Sequence, residues 1–455
     1  MNDYVIRTAY LNKLKDFKEK NLIKVITGIR RSGKSVLMEQ FQDELRKSGV
    51  SNRQIVSLNF EMLENEKLLD YNTLHDYIKK QLCVGEWTYV FLDEIQLVPA
   101  FQKTINSLRT KDLVDIYITG SNSSLLSSEL ATLLTGRCIT IHVLPLSFKE
   151  YIGAKSFIAY EKGETSIASS EPMNRAYLLK SYKVFGTDGI RHVLPTYGSY
   201  KPFYNDAFND YMKLGAFPQT LQFESQKSVY DYLEDVYNAI IRKDILARVK
   251  SIQEGVLTSI VKFVFHSIGS EISPLNIANT LKSNKRATSY NTVEKYLEYL
   301  KDAYIIYEVG RYDIKGKQHL KKNAKYYAVD MGLRNVLLSN KETDIGHTLE
   351  NIVFLELVRR GYRITVGKIG QKEVDFVAEN ESGIEYYQVA ASVLDPDTLA
   401  RELDPLNSIK DHFPKCLITL DDYSAGASHN GIRVVNAIDF LFDHKTENYS
   451  DARPV

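Results

Sequence analysis

At 455 residues, with 44% hydrophobic and 25% charged positions, the chain has a globular composition that excludes a largely disordered protein. It is too long for one ordinary core, and about two to four domains are expected. The net charge of +1 excludes whole-molecule attraction to nucleic acid or acidic lipid, so any such contact requires a local cluster. Cys83, Cys138 and Cys416 are too widely spaced for a metal-ligand pattern or a disulfide framework. No run approaches the roughly 18 apolar residues that span a bilayer, so a cytoplasmic protein without membrane contact is expected.

In chain order, Leu22–Thr27, Ile55–Phe60, Tyr89–Leu92, Ile116–Thr119 and Ile139–Leu144 are short apolar runs separated by helical patterns. This alternation predicts a parallel α/β sheet. Val36, Leu37, Phe41 and Leu45 recur at helical spacing behind the first strand, and Gly49 stands where a C-terminal cap belongs. Ser156–Tyr182 is polar and weakly patterned, as in a surface insertion. From Phe203 to about Val264 the pattern is helical, a connector or lid. Two short helical patterns, Leu275–Leu281 and Thr292–Leu300, then precede the runs Tyr304–Tyr312 and Lys325–Val329, in the order of a winged helix. After Gly346, a helix over Thr348–Arg360 and strands at Val374–Ala378, Tyr386–Val389 and Cys416–Leu420 predict a third α/β unit.

Residues 28–35 read Gly-Ile-Arg-Arg-Ser-Gly-Lys-Ser, lying between the first strand and its helix. Glycines at Gly28 and Gly33 let backbone N–H groups of Ile29, Arg30, Arg31, Ser32 and Val36 and the helix N-terminus converge on phosphate oxygens. Lys34 then reaches the terminal phosphates, and the Ser35 hydroxyl holds Mg²⁺. The run Tyr89–Leu92 ends in Asp93-Glu94, which places one carboxylate toward the Mg²⁺ shell and a second as the base that orients and deprotonates water. Asn122, after Thr119-Gly120-Ser121, is either a residue that touches the γ-phosphate or a turn former. Arg137 is either an arginine given to a neighbouring subunit's nucleotide or a surface charge.

The run Thr27–Ser35, Phe91–Gln96, Thr119–Ser123, Gly136-Arg137 and Pro145–Phe148 resemble prokaryotic AAA-type ATPases whose second half is the domain of unknown function 4143. Gly215-Ala216-Phe217-Pro218, Arg242-Lys243-Asp244-Ile245, Glu350, Glu373-Val374-Asp375-Phe376 and Tyr387-Gln388-Val389-Ala390 extend the resemblance over nearly the whole chain. It implies an α/β protein with a P-loop AAA-type parallel-sheet ATPase core (1–202), a helical connector with winged helix (203–330) and a C-terminal restriction-endonuclease-like α/β domain (331–455). In the nuclease-like fold a helix acid, a strand Asp and an acid-X-Lys pair bind metal. Glu350 and Asp375 match the first two positions, but the third departs: Gln388-Val389-Ala390 fills the acid-X-Lys slot, where Gln388 can still contact a metal and Ala390 stands in place of the lysine, which predicts an inactive site.

In the winged-helix reading, Lys285, Arg286, Asn291 and Lys295 face nucleic acid, with Arg311, Lys315, Lys317, Lys321, Lys322 and Lys325 on the wing. The alternative for the module is protein docking, with the lysines as a solvated edge. The expected function is Mg²⁺-dependent ATP hydrolysis coupled to movement of the winged-helix and nuclease-like module on double-stranded DNA, in a homo-oligomer with an arginine supplied in trans. The competing readings are a nucleotide-dependent switch or scaffold for a protein partner with little turnover and an ATP-gated nuclease, against which Ala390 argues.

Overall fold

The computed structural model describes residues 5–121, 136–161, 197–249, 252–283, 288–339, 344–422 and 428–442. In the first half, α1 (Thr8–Asp16), β1 (Ile23–Thr27), α2 (Lys34–Lys47), β2 (Ile55–Asn59), α3 (Tyr71–Gln81), β3 (Thr88–Asp93), α4 (Phe101–Arg109), β4 (Val114–Thr119) and β5 (Cys138–His142) follow one another. The five strands form one parallel sheet in the order β2-β3-β4-β1-β5. Because strand side chains alternate, Val90 and Leu92 face α3 and α4 in one core, whereas Tyr89 and Phe91 face α1 and α2 in another. A parallel sheet covered on both faces reads as apolar runs without strict alternation, and all six residues of β3 are buried.

Helices α5 (Phe148–Glu161), α6 (Tyr197–Leu214) and α7 (Gln226–Ala239) lead into a π-helical segment, Ile240–Leu246, and then α8 (Glu254–His266). Of the polar stretch Ser156–Tyr182, residues from 162 onward lie outside those described. Gly215 ends α6 with φ +80, where a Cβ would strike the Asp330 carboxylate and the Gly332 nitrogen. Only glycine fits that approach, which lets Asp330 accept from the Ala216 N–H at 2.6 Å and from the Leu333 N–H at 2.8 Å.

The remaining elements are β6 (Glu271–Ile272), α9 (Pro274–Ser283), α10 (Tyr290–Asp302), β7 (Ile306–Asp313), β8 (Gln318–Ala328), α11 (Met331–Leu338), α12 (Ile345–Arg359), β9 (Arg363–Ile369), β10 (Lys372–Asn380), β11 (Gly383–Ala390), α13 (Pro396–Asn407), β12 (Lys415–Thr419), β13 (Ser428–His429), β14 (Ile432–Asn436) and α14 (Ala437–Phe442). The helix, helix, hairpin order expected over 270–330 is present. Its hairpin, however, is not separate: past a register shift between Val309 and Arg311, residues Arg311, Tyr312 and Asp313 of β7 pair in parallel with Val366, Gly367 and Lys368 of β9. One nine-stranded mixed sheet, β13-β14-β12-β11-β10-β9-β7-β8-β6, therefore runs across residue 330. Among the described residues, no helix is long and apolar enough to cross a membrane.

Candidate functional site

Strand β1 ends at Thr27 and α2 begins at Lys34, so the glycine-containing run is the loop between them. Gly28 has φ +140, and a Cβ there would collide with the Val143 carbonyl. The tight turn this permits folds the loop back over the start of α2, whose first-turn N–H groups have no intrahelical acceptor. Gly33 caps the helix in the left-handed region, with φ 95. Lys34, 5% exposed, donates to its own loop's carbonyls, Gly28 O at 3.0 Å and Ile29 O at 3.1 Å. Burial pulls its pKa down, against the opposing charges of Glu94, Asp93 and Asp244. Ser32 Oγ is buried without a hydrogen-bond partner. An unpartnered hydroxyl, a lysine and a helix N-terminus at one glycine cradle are the donor set that suits a nucleoside phosphate.

The acidic pair lies at the carboxyl end of β3. Asp93 accepts from Asn59 Nδ2 at 3.0 Å and from the Thr119 hydroxyl, while the Glu94 N–H donates to Thr119 Oγ1 at 3.0 Å. Thr119 thus clamps both residues from the neighbouring strand. Glu94 occupies the left-handed region (φ 54) and accepts from the Gln96 side-chain amide. Burial pushes its carboxyl pKa up, partly offset by Lys34. Asp93 and Ser35 are the residues that fit a divalent cation beside Lys34, both placed at the carboxyl edge of the sheet.

Arg7 holds the loop from behind. Its guanidinium, 3% exposed, donates to Glu150 Oε1 at 2.8 Å, Ser32 O at 3.1 Å and Leu144 O at 2.9 Å. An Arg7→Ala chain leaves the 6% exposed Glu150 without its cation, and a loss of about 3–5 kcal/mol is expected. Chemical denaturation measures it, and nucleotide affinity should fall with it because Ser32 loses its tether.

Asn122 lies outside the described residues. Arg137 is exposed, and its carbonyl accepts from the Ile23 N–H at the amino end of β1. The loop begins at the other end of that strand, about 13 Å away at roughly 3.3 Å per residue, so Arg137 is not brought to its own chain's loop. Residues to which the sequence assigns no role also reach the site: Arg7, Asn59, Gln96, Thr119, Ser121 and, most unexpectedly, Asp244. The Asp244 carboxylate accepts from Arg30 Nε and Nη2, each at 3.1 Å, and from Ser121 Oγ at 3.0 Å. The run Arg242-Lys243-Asp244-Ile245 is part of the family resemblance, but sequence spacing gives no hint that it meets residue 30.

In the second half, Glu350, Asp375 and Gln388 do converge. The Asp375 N–H donates to Gln388 Oε1 at 3.3 Å, Asp375 Oδ2 accepts from the Val389 N–H at 2.9 Å, and Gln388 Nε2 donates to Glu402 at 3.0 Å. The cation of this cluster is Lys325, expected on the surface of the hairpin but 3% exposed. Its Nζ lies 3.0 Å from Glu350, 2.8 Å from Glu373 and 3.6 Å from Asp375. Lys325 is therefore withdrawn from any phosphate contact, and Arg311 is likewise engaged by Glu271 at 3.1 Å. Burial, and then the Glu350 charge, push the Asp375 carboxyl up to about 8, whereas Lys325 and Lys368 hold Glu373 down near 2 against its own burial. Among the described residues, no group of three or more His, Cys, Asp or Glu is arranged to hold a metal ion. Asn291, Lys295, Lys315 and Lys317 are exposed, whereas Lys285 and Arg286 lie outside the described residues.

The loop, its lysine and the clamped Asp93-Glu94 pair on a parallel sheet define a P-loop protein of the AAA type, and residues 20–152 match the family described as AAA domain. The chain belongs to the same family as an uncharacterized protein of Haemophilus influenzae, with which it is 36% identical over 438 residues, 96% of this chain and 98% of that one. An uncharacterized protein of Methanocaldococcus jannaschii is 31% identical over 371 residues, covering 80% and 73% of the two chains. Residues 205–344 match the Domain of unknown function (DUF8612), which corrects the expected resemblance to domain 4143. Among solved structures, the Walker-type ATPase of Pyrococcus abyssi aligns at TM-score 0.43 and 14% identity over 73% of this chain and 95% of that one. The Aeropyrum pernix ORC1 protein, solved in complex with DNA, aligns at 0.28 and 11% over 74% and 91%.

Proposed function

We propose that this protein hydrolyses ATP with Mg²⁺ in the cytoplasm and couples nucleotide state to movement of its second half, which we read as a winged helix joined to a catalytically silent nuclease-like domain. The observation that carries the reading is that the loop lysine, Lys34, lies within the field of the Asp93-Glu94 pair that Thr119 clamps. Ser35 and Asp93 are suited to hold Mg²⁺, which offsets charge on the terminal phosphates when bound. Lys34 exchanges its two loop carbonyls for phosphate oxygens, and Glu94, freed from Gln96, orients and deprotonates water. Arg137, far from its own loop, suits a role toward a neighbouring subunit in a homo-oligomer.

Double-stranded DNA is the partner we favour, through Lys295, Lys315 and Lys317. Helix α10 supports this only in part: it carries Lys295 and Lys301 against Glu294, Glu298 and Asp302, and Lys301 is engaged by Glu298 and Glu308. The contact is therefore assigned chiefly to the hairpin tip. Steady-state ATP hydrolysis with and without duplex DNA tests the reading. Stimulation by DNA should be lost in Lys315→Ala/Lys317→Ala while basal turnover persists. The salt slope of DNA binding should become shallower by about 1.8, two phosphate contacts at roughly 0.9 each. ATP binding with scarcely any turnover, unaffected by DNA, replaces this with a switch that recruits a protein partner. The Arg30–Asp244 contact is the feature that favours this second reading.

A further inference from the structure

Asp244 lies in the π-helical segment Ile240–Leu246, between α7 and α8, and is 4% exposed. A π-helical insertion is an unfavourable local geometry that is found disproportionately at functional positions. The Asp244 carboxylate takes both nitrogens of the Arg30 fork at 3.1 Å, and the Ser121 hydroxyl donates to it at 3.0 Å. Arg30 stands between the two glycines of the loop, and Ser121 follows the strand whose Thr119 grips Asp93 and Glu94. A carboxylate held by a two-pronged arginine and a hydroxyl satisfies the same donors as a phosphoryl group would. Lys34 feels the Asp244 charge together with those of Glu94 and Asp93, and Arg248, one turn further along the chain, feels both Asp244 and Glu94. Asp244 is thus near enough to the loop lysine for its charge to be felt there, and a terminal phosphate arriving beside Arg30 would meet that charge. Asp93 and Glu94 are fixed to the sheet through Thr119, whereas Asp244 arrives on a segment from the other half of the chain.

We propose that Asp244 stands in for the terminal phosphate: its carboxylate occupies Arg30 and Ser121 when no triphosphate is bound, and the γ-phosphate of a nucleoside triphosphate takes over these donors and releases the π-helical segment from the loop. This rests on the reading that the loop binds ATP, and it names the residue at which the presence of a third phosphate is converted into a change in the second half. A diphosphate, which lacks the competing group, leaves Asp244 in place. Binding to both nucleotides responds to the loop, and only the triphosphate responds to Asp244.

The test compares Mg²⁺-ADP and Mg²⁺-ATPγS binding by calorimetry in the full-length wild type and Asp244→Asn, together with hydrogen exchange of residues 240–246. Removing the competing charge should tighten ATPγS binding by about tenfold and change ADP binding by less than about twofold. In the wild type, ATPγS but not ADP should accelerate exchange in the segment. Equal effects on the two nucleotides, or weaker ATPγS binding in Asp244→Asn, would show that Asp244 merely positions Arg30 and overturn the proposal while leaving the ATP reading intact. Failure of the wild type to bind either nucleotide would remove both. Unchanged ADP binding by the variant reports that it is folded.

Discussion

Replacing Glu94 with Gln is expected to leave ATP binding intact while lowering turnover about 10²–10⁴-fold, the range for loss of a general base. The substitution keeps the size of the side chain and removes its ability to take a proton. Its backbone remains held by Thr119 Oγ1 at 3.0 Å, so the effect is chemical and not structural. Lys34→Ala should differ in kind, because the lysine is the loop's buried cation and its loss should weaken binding as well as turnover. Titration with a fluorescent ATP analogue and single-turnover hydrolysis separate the two outcomes. Wild-type turnover in Glu94→Gln would remove Glu94 as the base and leave the carboxylate pair with only a metal-binding role.

Lys325→Met is expected to destabilise the second half by about 3–5 kcal/mol, because a methionine of similar length leaves the buried Glu350 and Asp375 and the half-buried Glu373 without their cation. The loss should depend on pH. Asp375 is held above its ordinary value, so its contribution to stability is fully present below about pH 4 and is lost as pH rises toward about 8. Glu373, held near 2, contributes in the opposite sense, but below pH 4.5. Urea denaturation between pH 5 and pH 8 should therefore show a declining stability that Asp375→Asn flattens. An Asp375→Asn curve parallel to the wild type would mean that Asp375 is ionised across this range and that Lys325 carries a full counter-charge to it.

The elements that carry strong local patterns were legible in the sequence. All five strands of the first sheet lie where apolar runs placed them, and the phosphate loop sits between the expected strand and helix, because its glycines, lysine and flanking periodicities are all local. Arg363–Ile369 escaped notice as a strand because Arg363, Thr365, Gly367 and Lys368 interrupt its apolar residues. Lys325 belongs in the sequence to a basic hairpin expected to meet nucleic acid or solvent, where a lysine is usually exposed. Its burial follows from carboxylates 25 to 50 residues further on, which no window of sequence reveals. The same limit applies to Asp244, whose partner lies 214 residues away. Where the resemblance implies a lysine the sequence has Ala390, and a lysine from a different strand, Lys325, stands among the same carboxylates.

The pairing of β7 with β9 bears on how a nucleotide signal could travel. Sheet hydrogen bonds between Arg311–Asp313 and Val366–Lys368, reinforced by Lys368 joining Glu271 and Glu373, bolt the hairpin to the C-terminal body. On the proposed function, the hairpin tip at Lys315 and Lys317 would therefore be carried together with the C-terminal body.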